Sequence, residues 1–599
     1  MERGGRLSQI RALVGLLPRA ARLAMASSPR GMAGLVALTL GAAALPPSIA
    51  WVGKLLVDSV VARDPDKALR LVAVELALVA ALVVLARGTQ LLRQTLGARL
   101  GHGVNVMILE KALHLDLADF EDPAFYDQLT RARREASSRP IGVVMQVFDI
   151  TKGALTLSGY AALLFGYSPL VCLALAAASL PATIAEVVFG QAAFRLRNWR
   201  SPDTRRLFYM ERVLASDDHA KEIKLLGVGP LLLERYQKLG DRITAEDAEL
   251  AARRFRWGTA LSVIATTVYY GAYASMVVAA ARGKMTLGEM TLYAVAFRQG
   301  QESLQSILGS FGGMHEHALY LSNLYAYLDR PLRTGGEARF GGAEPARGAA
   351  RLTLEDVSFR YPGAERWALR HVTLDVPPGR SLAIVGHNGA GKTTLIKLLL
   401  GLYVPTEGRV LLDGVDVTSI PAEERLRTFA AVFQDFARWQ LTVRENIGFG
   451  DVEHLDDDPH LERAVERGGA KALVGRLSSG LETQLGKWFD AGVELSGGEW
   501  QSIALARSFA REGARVLILD EPTAALDANA EQAVFQRFHE LAKGRTAIVI
   551  SHRFPTVRMA DQIVVVDGGE LRESGTHAEL IERGGVYAKL FDVQASGYR

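Results

Sequence analysis

The sequence Leu382-Ala383-Ile384-Val385-Gly386-His387-Asn388-Gly389-Ala390-Gly391-Lys392-Thr393-Thr394-Leu395-Ile396-Lys397-Leu398 decides the reading of this chain. Four apolar residues predict a buried strand. The next eight carry the spacing G-x-x-x-x-G-K-[ST], and a largely apolar helical run follows. Glycines in such a loop let backbone N–H groups turn inward onto phosphate oxygens. A helix beginning near Lys392 adds the positive end of its dipole. Lys392 can reach outer phosphates and Thr393 can hold Mg²⁺. Gly386, Asn388, Gly389, Gly391, Lys392, Thr393 and Thr394 are therefore candidate nucleotide-binding residues.

Downstream strands supply the chemistry that such a loop needs. Ala431-Val432-Phe433 ends in Gln434, and Val516-Leu517-Ile518-Leu519 ends in Asp520-Glu521. Four apolar residues followed by a carboxylate fit a central parallel strand that delivers its acid to the ligand-binding edge of a sheet. Asp520 is suited to position Mg²⁺, and Glu521 to act as general base on an attacking water. Ala547-Ile548-Val549-Ile550 ends in Ser551-His552, with His552 in reach of a γ-phosphate. Leu495-Ser496-Gly497-Gly498-Glu499 opens a helix and makes a second anion-binding start. Tyr361, after strand Leu352-Thr353-Leu354, is placed to stack on adenine. Each of these has a plainer reading alone: a helix cap for the paired acids, an ordinary strand-end residue for His552 or Tyr361.

The composition divides in two. The 599 residues are 49% hydrophobic and 22% charged, but the long apolar runs lie in the first ~325 residues, as expected of a multidomain chain. A net charge of +4 gives no support to a nucleic-acid partner. Arg-rich segments beside apolar runs point to a membrane surface. The single cysteine, Cys172, excludes an intramolecular disulfide and a multi-cysteine zinc site.

Residues 1–30 alternate arginines with Leu7, Ile10, Val14 and Leu17, which predicts an amphipathic helix on the inner membrane surface. Residues 31–325 read as six spans, near Met32–Trp51, Leu71–Leu85, Ile141–Phe165, Leu170–Phe189, Leu261–Ala281 and Leu287–Met314. The arginine distribution puts both termini and two long polar segments in the cytoplasm. Those segments are too long for structureless loops and predict helical extensions of the spans. Residues 326–350, polar and glycine-rich, form a linker, and 351–599 a soluble domain. The fold class is an all-α membrane domain, six transmembrane helices with long cytoplasmic extensions, plus an α/β P-loop NTPase domain. A charge at mid-bilayer costs about 2.5–3.5 kcal/mol, so Glu75, Asp149, Lys152, Glu186 and Arg298 should face protein or water. Two readings stand: pairing between helices, or a solute cavity with Arg298, Glu302 and Gln305 along one wall. Tyr269, Tyr270 and Tyr273 fit either a solute site or an interfacial belt.

Taken together, these motifs resemble the ATP-binding cassette (ABC) transporters of the exporter class. In that resemblance Gly386–Thr393 is similar to the Walker A loop and Gln434 to the Q-loop. Leu495–Glu499 is similar to the signature and Val516–Glu521 to Walker B with its catalytic glutamate. Ala524–Asp527 is similar to the D-loop, His552 to the switch histidine and Tyr361 to the A-loop aromatic. Phe120–Asp127 and Ala220–Lys224 look like coupling-helix regions. The chain departs from the usual pattern at Glu499, where glutamine is common, and at Gly486–Glu494 with Trp488 and Phe489. The resemblance implies catalytic roles for Glu521, His552 and Gln434. It also implies contacts from Ser496, Gly497 and Gly498 to a nucleotide held in trans, and Mg²⁺ at Thr393, Gln434 and Asp520. It implies a dimer of half-transporters, with a homodimer favoured by the presence of both Glu521 and His552 and a heterodimer as the alternative. The partners are then a second copy, membrane lipid and a solute. A bacterial inner membrane is the expected location. The implied activity is ATP-driven export of an amphipathic small molecule or peptide by alternating access. A lipid or lipid-linked glycan flippase is the alternative, and a soluble ATPase acting on nucleic acid is disfavoured by the apolar runs.

Overall fold

The computed structural model describes residues 6–597 except 123–124, 126–128, 130–138, most of 167–198, 332–347, 522–535 and 552–553. The chain divides into two units, 1–114 with 127–330 and 115–126 with 331–599.

The first unit is helical. Its helices α1 (Arg6–Ser27), α2 (Pro29–Val61) and α3 (Pro65–Leu113) precede a short α4 (Leu117–Glu121) that belongs to the second unit. Then come α5 (Arg139–Phe165), α6 (Ser201–Ala215), α7 (Asp217–Leu226), α8 (Gly229–Ala281) and α9 (Leu287–Leu328). Ser28 caps α2 with Pro29 following, and Asp64 caps α3 with Pro65 following. Both are strong helix starts, since proline loses nothing at the first helical position. Among the described residues, Pro29–Val61, Pro65–Leu113, Ile141–Phe165 and Gly229–Ala281 are long and apolar enough to cross a membrane. The expected fourth span falls largely outside the described residues. The expected sixth span lies within the 42-residue α9, which is not among the helices long and apolar enough to cross a membrane.

Packing between these helices relies on small residues. A side chain at Gly153 would meet Ile307 at 2.7 Å, and one at Gly159 would meet Pro47 at 2.7 Å. Close approach lets the buried Thr156 hydroxyl donate to the Ala43 carbonyl at 3.0 Å, satisfying a polar group where lipid offers no partner. Tyr160, Leu164, Met276, Ala296 and Phe297 form a buried cluster with Tyr269 against it.

The second unit is α/β. Strands β1 (Leu352–Phe359), β2 (Leu369–Val376), β3 (Ser381–Val385), β4 (Glu407–Leu412), β5 (Val415–Asp416), β6 (Phe429–Val432), β7 (Val516–Asp520), β8 (Thr546–Ile550), β9 (Gln562–Asp567) and β10 (Glu570–Gly575) build two sheets. The smaller is antiparallel in the order β2-β1-β4-β5; the larger runs β10-β9-β3-β8-β7-β6. All neighbours in the larger sheet are parallel except β10. Its strands β3, β7 and β8 are almost wholly buried, which explains their unbroken apolar sequences. Helix α10 (Lys392–Leu399) follows β3, and α11 (Ala422–Thr428) precedes β6. Between β6 and β7, α12 (Val443–Gly448), α13 (Asp458–Gly468), α14 (Lys471–Arg476) and α15 (Gly497–Ala510) enclose a separate core around Val443, Leu461, Trp500 and Ile503.

Candidate functional site

Parallel pairing aligns the C-terminal ends of β3, β6 and β7 on one edge, where open α/β sheets bind ligands. The loop after β3 wraps onto α10 there. It requires glycine at two places: a Cβ on Gly386 would lie 2.1 Å from the Val566 carbonyl oxygen, and on Gly391, at φ 108°, 2.8 Å from that of Ala368. The loop thus presents bare backbone beside the first turn of α10.

A cavity of about 660 Å³ opens over this edge. It gathers Tyr361, Asn388, Gly389, Gly391, Lys392, Thr393, Thr394, Gln434 and Glu521, nine of the residues singled out from sequence. Lys392 is buried and folds back on its own loop, Nζ donating to the carbonyls of Gly386 at 2.8 Å and His387 at 3.1 Å. Burial lowers its pKa, opposed by Glu521 and Asp520. The Tyr361 hydroxyl hydrogen-bonds the Thr394 hydroxyl at 2.9 Å, which fixes the ring at the cavity.

Asp520, the last residue of β7, is 1% exposed. Neither carboxylate oxygen has a hydrogen-bond partner among the described residues. Burial raises its pKa, the Thr393 hydroxyl works in the opposite direction, and Glu521 raises it further. A buried carboxylate with open oxygens beside a hydroxyl fits a hard divalent cation, which takes oxygen ligands. Glu521 sits at φ 48°, in the left-handed region uncommon for a residue with a side chain. Its N–H donates to the Ile550 carbonyl at 3.0 Å. The adjacent acids therefore take different settings, Asp520 buried at the strand end and Glu521 lining the cavity.

Ser496, Gly497 and Gly498 do not line this cavity. Ser496 caps α15 in a reciprocal capping box with Glu499: the Ser496 N–H donates to the Glu499 carboxylate at 2.7 Å, and the Glu499 N–H to the Ser496 hydroxyl at 3.4 Å. Glu499 also pairs with Arg476. The acidic residue at this position thus caps the helix and finds a counter-charge. Trp500, the next departure from the usual pattern, is 3% exposed and part of the core around α15. His552 and Ala524–Asp527 lie outside the described residues.

The structure adds groups that the sequence reading did not single out. Arg366 and Trp367 line the cavity; a second aromatic six residues after Tyr361 was the available signal. Arg507 on α15 donates to the carbonyls of Asn446 at 2.7 Å and Ala437 at 3.1 Å and lies 3.9 Å from the Trp439 ring centroid. Burial pushes its pKa down to about 10. It ties the helix that opens at Ser496 to the segment following Gln434.

Helix α4 packs with this unit, Leu117 and Ala118 against the sheet core. Glu121 accepts from Lys397 Nζ at 3.0 Å and from the Tyr403 hydroxyl. Burial opposes its charge, but Tyr403 and Lys397 prevail and hold its pKa below the usual carboxylate value. Phe125 is also buried; Pro123, Ala124, Tyr126 and Asp127 of the same predicted region lie outside the described residues. Of the second such region, Ala220–Lys224 forms part of α7.

In the helical unit, Asp149 pairs with Arg93, Nη1 donating at 3.2 Å. Inter-helix pairing is therefore the reading that holds for Asp149. Arg298 lies 3.5 Å from Glu302 along α9, both more than half exposed. Tyr269 stacks on Tyr273 and packs near Phe297, whereas Tyr270 is 60% exposed.

A family model described as ABC transporter matches residues 369–524. The subtilin transport ATP-binding protein SpaT of Bacillus subtilis is 32% identical over 82% of this chain and 79% of its own length. The nisin transport ATP-binding protein NisT of Lactococcus lactis is 27% identical over 82% of each. An ATP-dependent lipid A-core flippase of Aromatoleum aromaticum is 33% identical over 60% of this chain and 59% of its own. A solved bacterial Atm1-family ABC exporter with ATP bound superimposes at a TM-score of 0.79, with 23% identity, over 95% of this chain and 98% of the other. That likeness gives the fold. The chain belongs to the ABC transporter family as an exporter-type half-transporter, an integral membrane protein whose cassette couples ATP hydrolysis to transport.

Proposed function

We propose that this chain exports an amphipathic small molecule or peptide from the cytoplasm as a dimer of half-transporters. The carrying observation is the cavity in which the Gly386–Thr394 loop, Gln434 and Glu521 converge at one sheet edge. Tyr361 and Trp367 stack on the adenine ring. Lys392 leaves its two loop carbonyls for the outer phosphates, and backbone N–H groups of Gly389 and Gly391 take the remaining oxygens. Thr393, Gln434 and Asp520 would hold Mg²⁺, which neutralises charge on the transferred phosphoryl group. Glu521 orients the attacking water and receives its proton, and the role proposed for His552 is contact with the γ-phosphate. Ser496, Gly497 and Gly498 complete the site of the opposing cassette, consistent with their position away from their own chain's cavity.

Two such sites from two copies make a homodimer sufficient. ATP drives the cycle only if it binds the closed pair better than the open one. Helix α4, which connects α3 to α5 in sequence and packs with the cassette, is the covalent route for that motion. The relatives named for subtilin and nisin transport match 82% of the chain, against 60% for the Aromatoleum flippase. This extent favours export of a released solute over lipid flipping. We place the protein in a bacterial inner membrane with its cassette and both termini cytoplasmic.

The test is ATP-dependent uptake into inside-out vesicles containing this chain alone. Amphipathic peptides, cationic drugs and fluorescent lipids are run side by side, with Glu521→Gln as control. Uptake of peptide or drug, lost in Glu521→Gln, is expected. Lipid movement without solute uptake overturns export in favour of flipping. Absence of ATP hydrolysis by the purified chain overturns the homodimer.

A further inference from the structure

Far in sequence from the phosphate loop, the turn between α12 and α13 brings together Asp451, His454 and His460. The candidate ligand atoms of all three lie within 4.8 Å of one another. Asp451 Oδ2 is 3.0 Å from His454 Nδ1 and 3.5 Å from His460 Nε2. The two imidazoles are nearly parallel, with centroids 4.7 Å apart.

A second observation points to a ligand. His460 is 3% exposed, and its Nε2 is buried without a hydrogen-bond partner among the described residues. A buried polar nitrogen left unpaired is destabilising, because it has given up water without gaining a partner. This one lies 3.5 Å from the Asp451 carboxylate and within 4.8 Å of a ring nitrogen of His454. His454, by contrast, keeps 49% of its side chain exposed, so the cluster opens to solvent on that side.

We propose that Asp451, His454 and His460 form a Zn²⁺ site. Two imidazole nitrogens and one carboxylate are a ligand set that suits zinc, with water in the remaining position. Ligation requires both rings neutral, with the proton on Nε2 of His454 and on Nδ1 of His460. The present contact from Arg463 Nη2 to His460 Nδ1 is long, at 3.5 Å, and is surrendered on binding. Arg463 remains held by the Pro459 carbonyl at 3.1 Å and by Glu512 at 3.2 Å. The surrounding stretch also contains Glu453, Asp456, Asp457 and Asp458, of which Glu453 pairs with Arg427 and Asp458 with Arg444.

The site would brace more than its own turn. The carbonyl of Gly450, adjacent to Asp451, accepts from Arg511 Nε at 2.9 Å just past the end of α15. A Cβ on Gly450 would lie 1.8 Å from the Arg507 carbonyl oxygen. The turn is therefore seated on the helix that begins at Ser496, and an ion joining Asp451 to His460 fixes α13 against it.

The experiment uses the full chain in detergent, purified without a polyhistidine tag, stripped with chelator and free of nucleotide. Zn²⁺ is titrated in competition with a chromophoric chelator, and Co²⁺ is added separately to read ligand-field bands. The expected result is one Zn²⁺ per chain lost on substitution, with affinity falling at least about tenfold in His454→Ala and in Asp451→Asn. Zn²⁺ should raise the melting temperature of the parent chain and not of the variants, and Co²⁺ bands should follow the same pattern. His454 is exposed, so its substitution tests ligation without emptying the core that His460 occupies. Equal zinc binding by the parent and His454→Ala, or none at micromolar Zn²⁺, overturns the site.

Discussion

The two units solve burial in opposite ways. In the cassette, β7 and β8 have all five residues buried, and apolar sequence means protein interior. In the helical unit, the most apolar stretch of α3 has no buried residue, and its buried positions, Leu96 to Ile108, lie in the less apolar half. The same residue types therefore carry different instructions. In the cassette they specify a core, because water is the alternative. In a membrane unit they specify contact with lipid, and the contacts that hold helices together fall to small residues and to satisfied polar groups. Polar side chains follow the same division. Asp520 is left open in the candidate site, whereas Asp149 is paired with Arg93.

This contrast can be broken most directly at the ligand edge. Glu521→Gln should reduce ATP hydrolysis by about 10²–10⁴-fold, the usual worth of a positioned base, while nucleotide binding persists. Single-turnover hydrolysis and equilibrium ATP binding measure the two separately; loss of both together would count against the role given to Glu521. In the helical unit, Asp149→Leu leaves Arg93 uncompensated, at a cost of about 2.5–3.5 kcal/mol if the pair lies deep in the bilayer. Detergent melting should show the loss, and Arg93→Leu combined with Asp149→Leu should recover most of it. No recovery would mean that the pair is not the reason for either charge.

A smaller effect is expected at the loop. Gly386→Ala forces a Cβ against the Val566 carbonyl and should destabilise the cassette by about 1–3 kcal/mol, as overpacking does. Thermal unfolding of the full chain, followed by the cassette's tryptophans, reads it. The smallest belongs to Glu499→Gln. The amide keeps the reciprocal cap but loses the ion pair with Arg476, whose side chain is 60% exposed. A change below about 1 kcal/mol is expected, with hydrolysis within about twofold of the parent by the same reasoning. A large drop in rate would assign Glu499 a part beyond capping.

The cassette's motifs were legible in the sequence because each is local. A strand, a glycine turn and a helix start need only the spacing from Leu382 to Leu398, and a strand delivering Asp520 and Glu521 needs only four apolar residues before them. The helical character of the first unit was legible in the sequence for a similar reason, since lipid demands long apolar runs. Pairings between distant residues were not legible there and came from the folded chain. It set Asp149 on Arg93, joined Glu499 to Arg476, and brought Trp367 to the cavity and Arg507 to Ala437. It also seated Glu121 of α4 on Lys397 and Tyr403, more than 270 positions away, and turned His460 back to face Asp451. The physical reason is that local spacing fixes backbone conformation, whereas a charge or an imidazole finds its partner only after the chain has closed on itself.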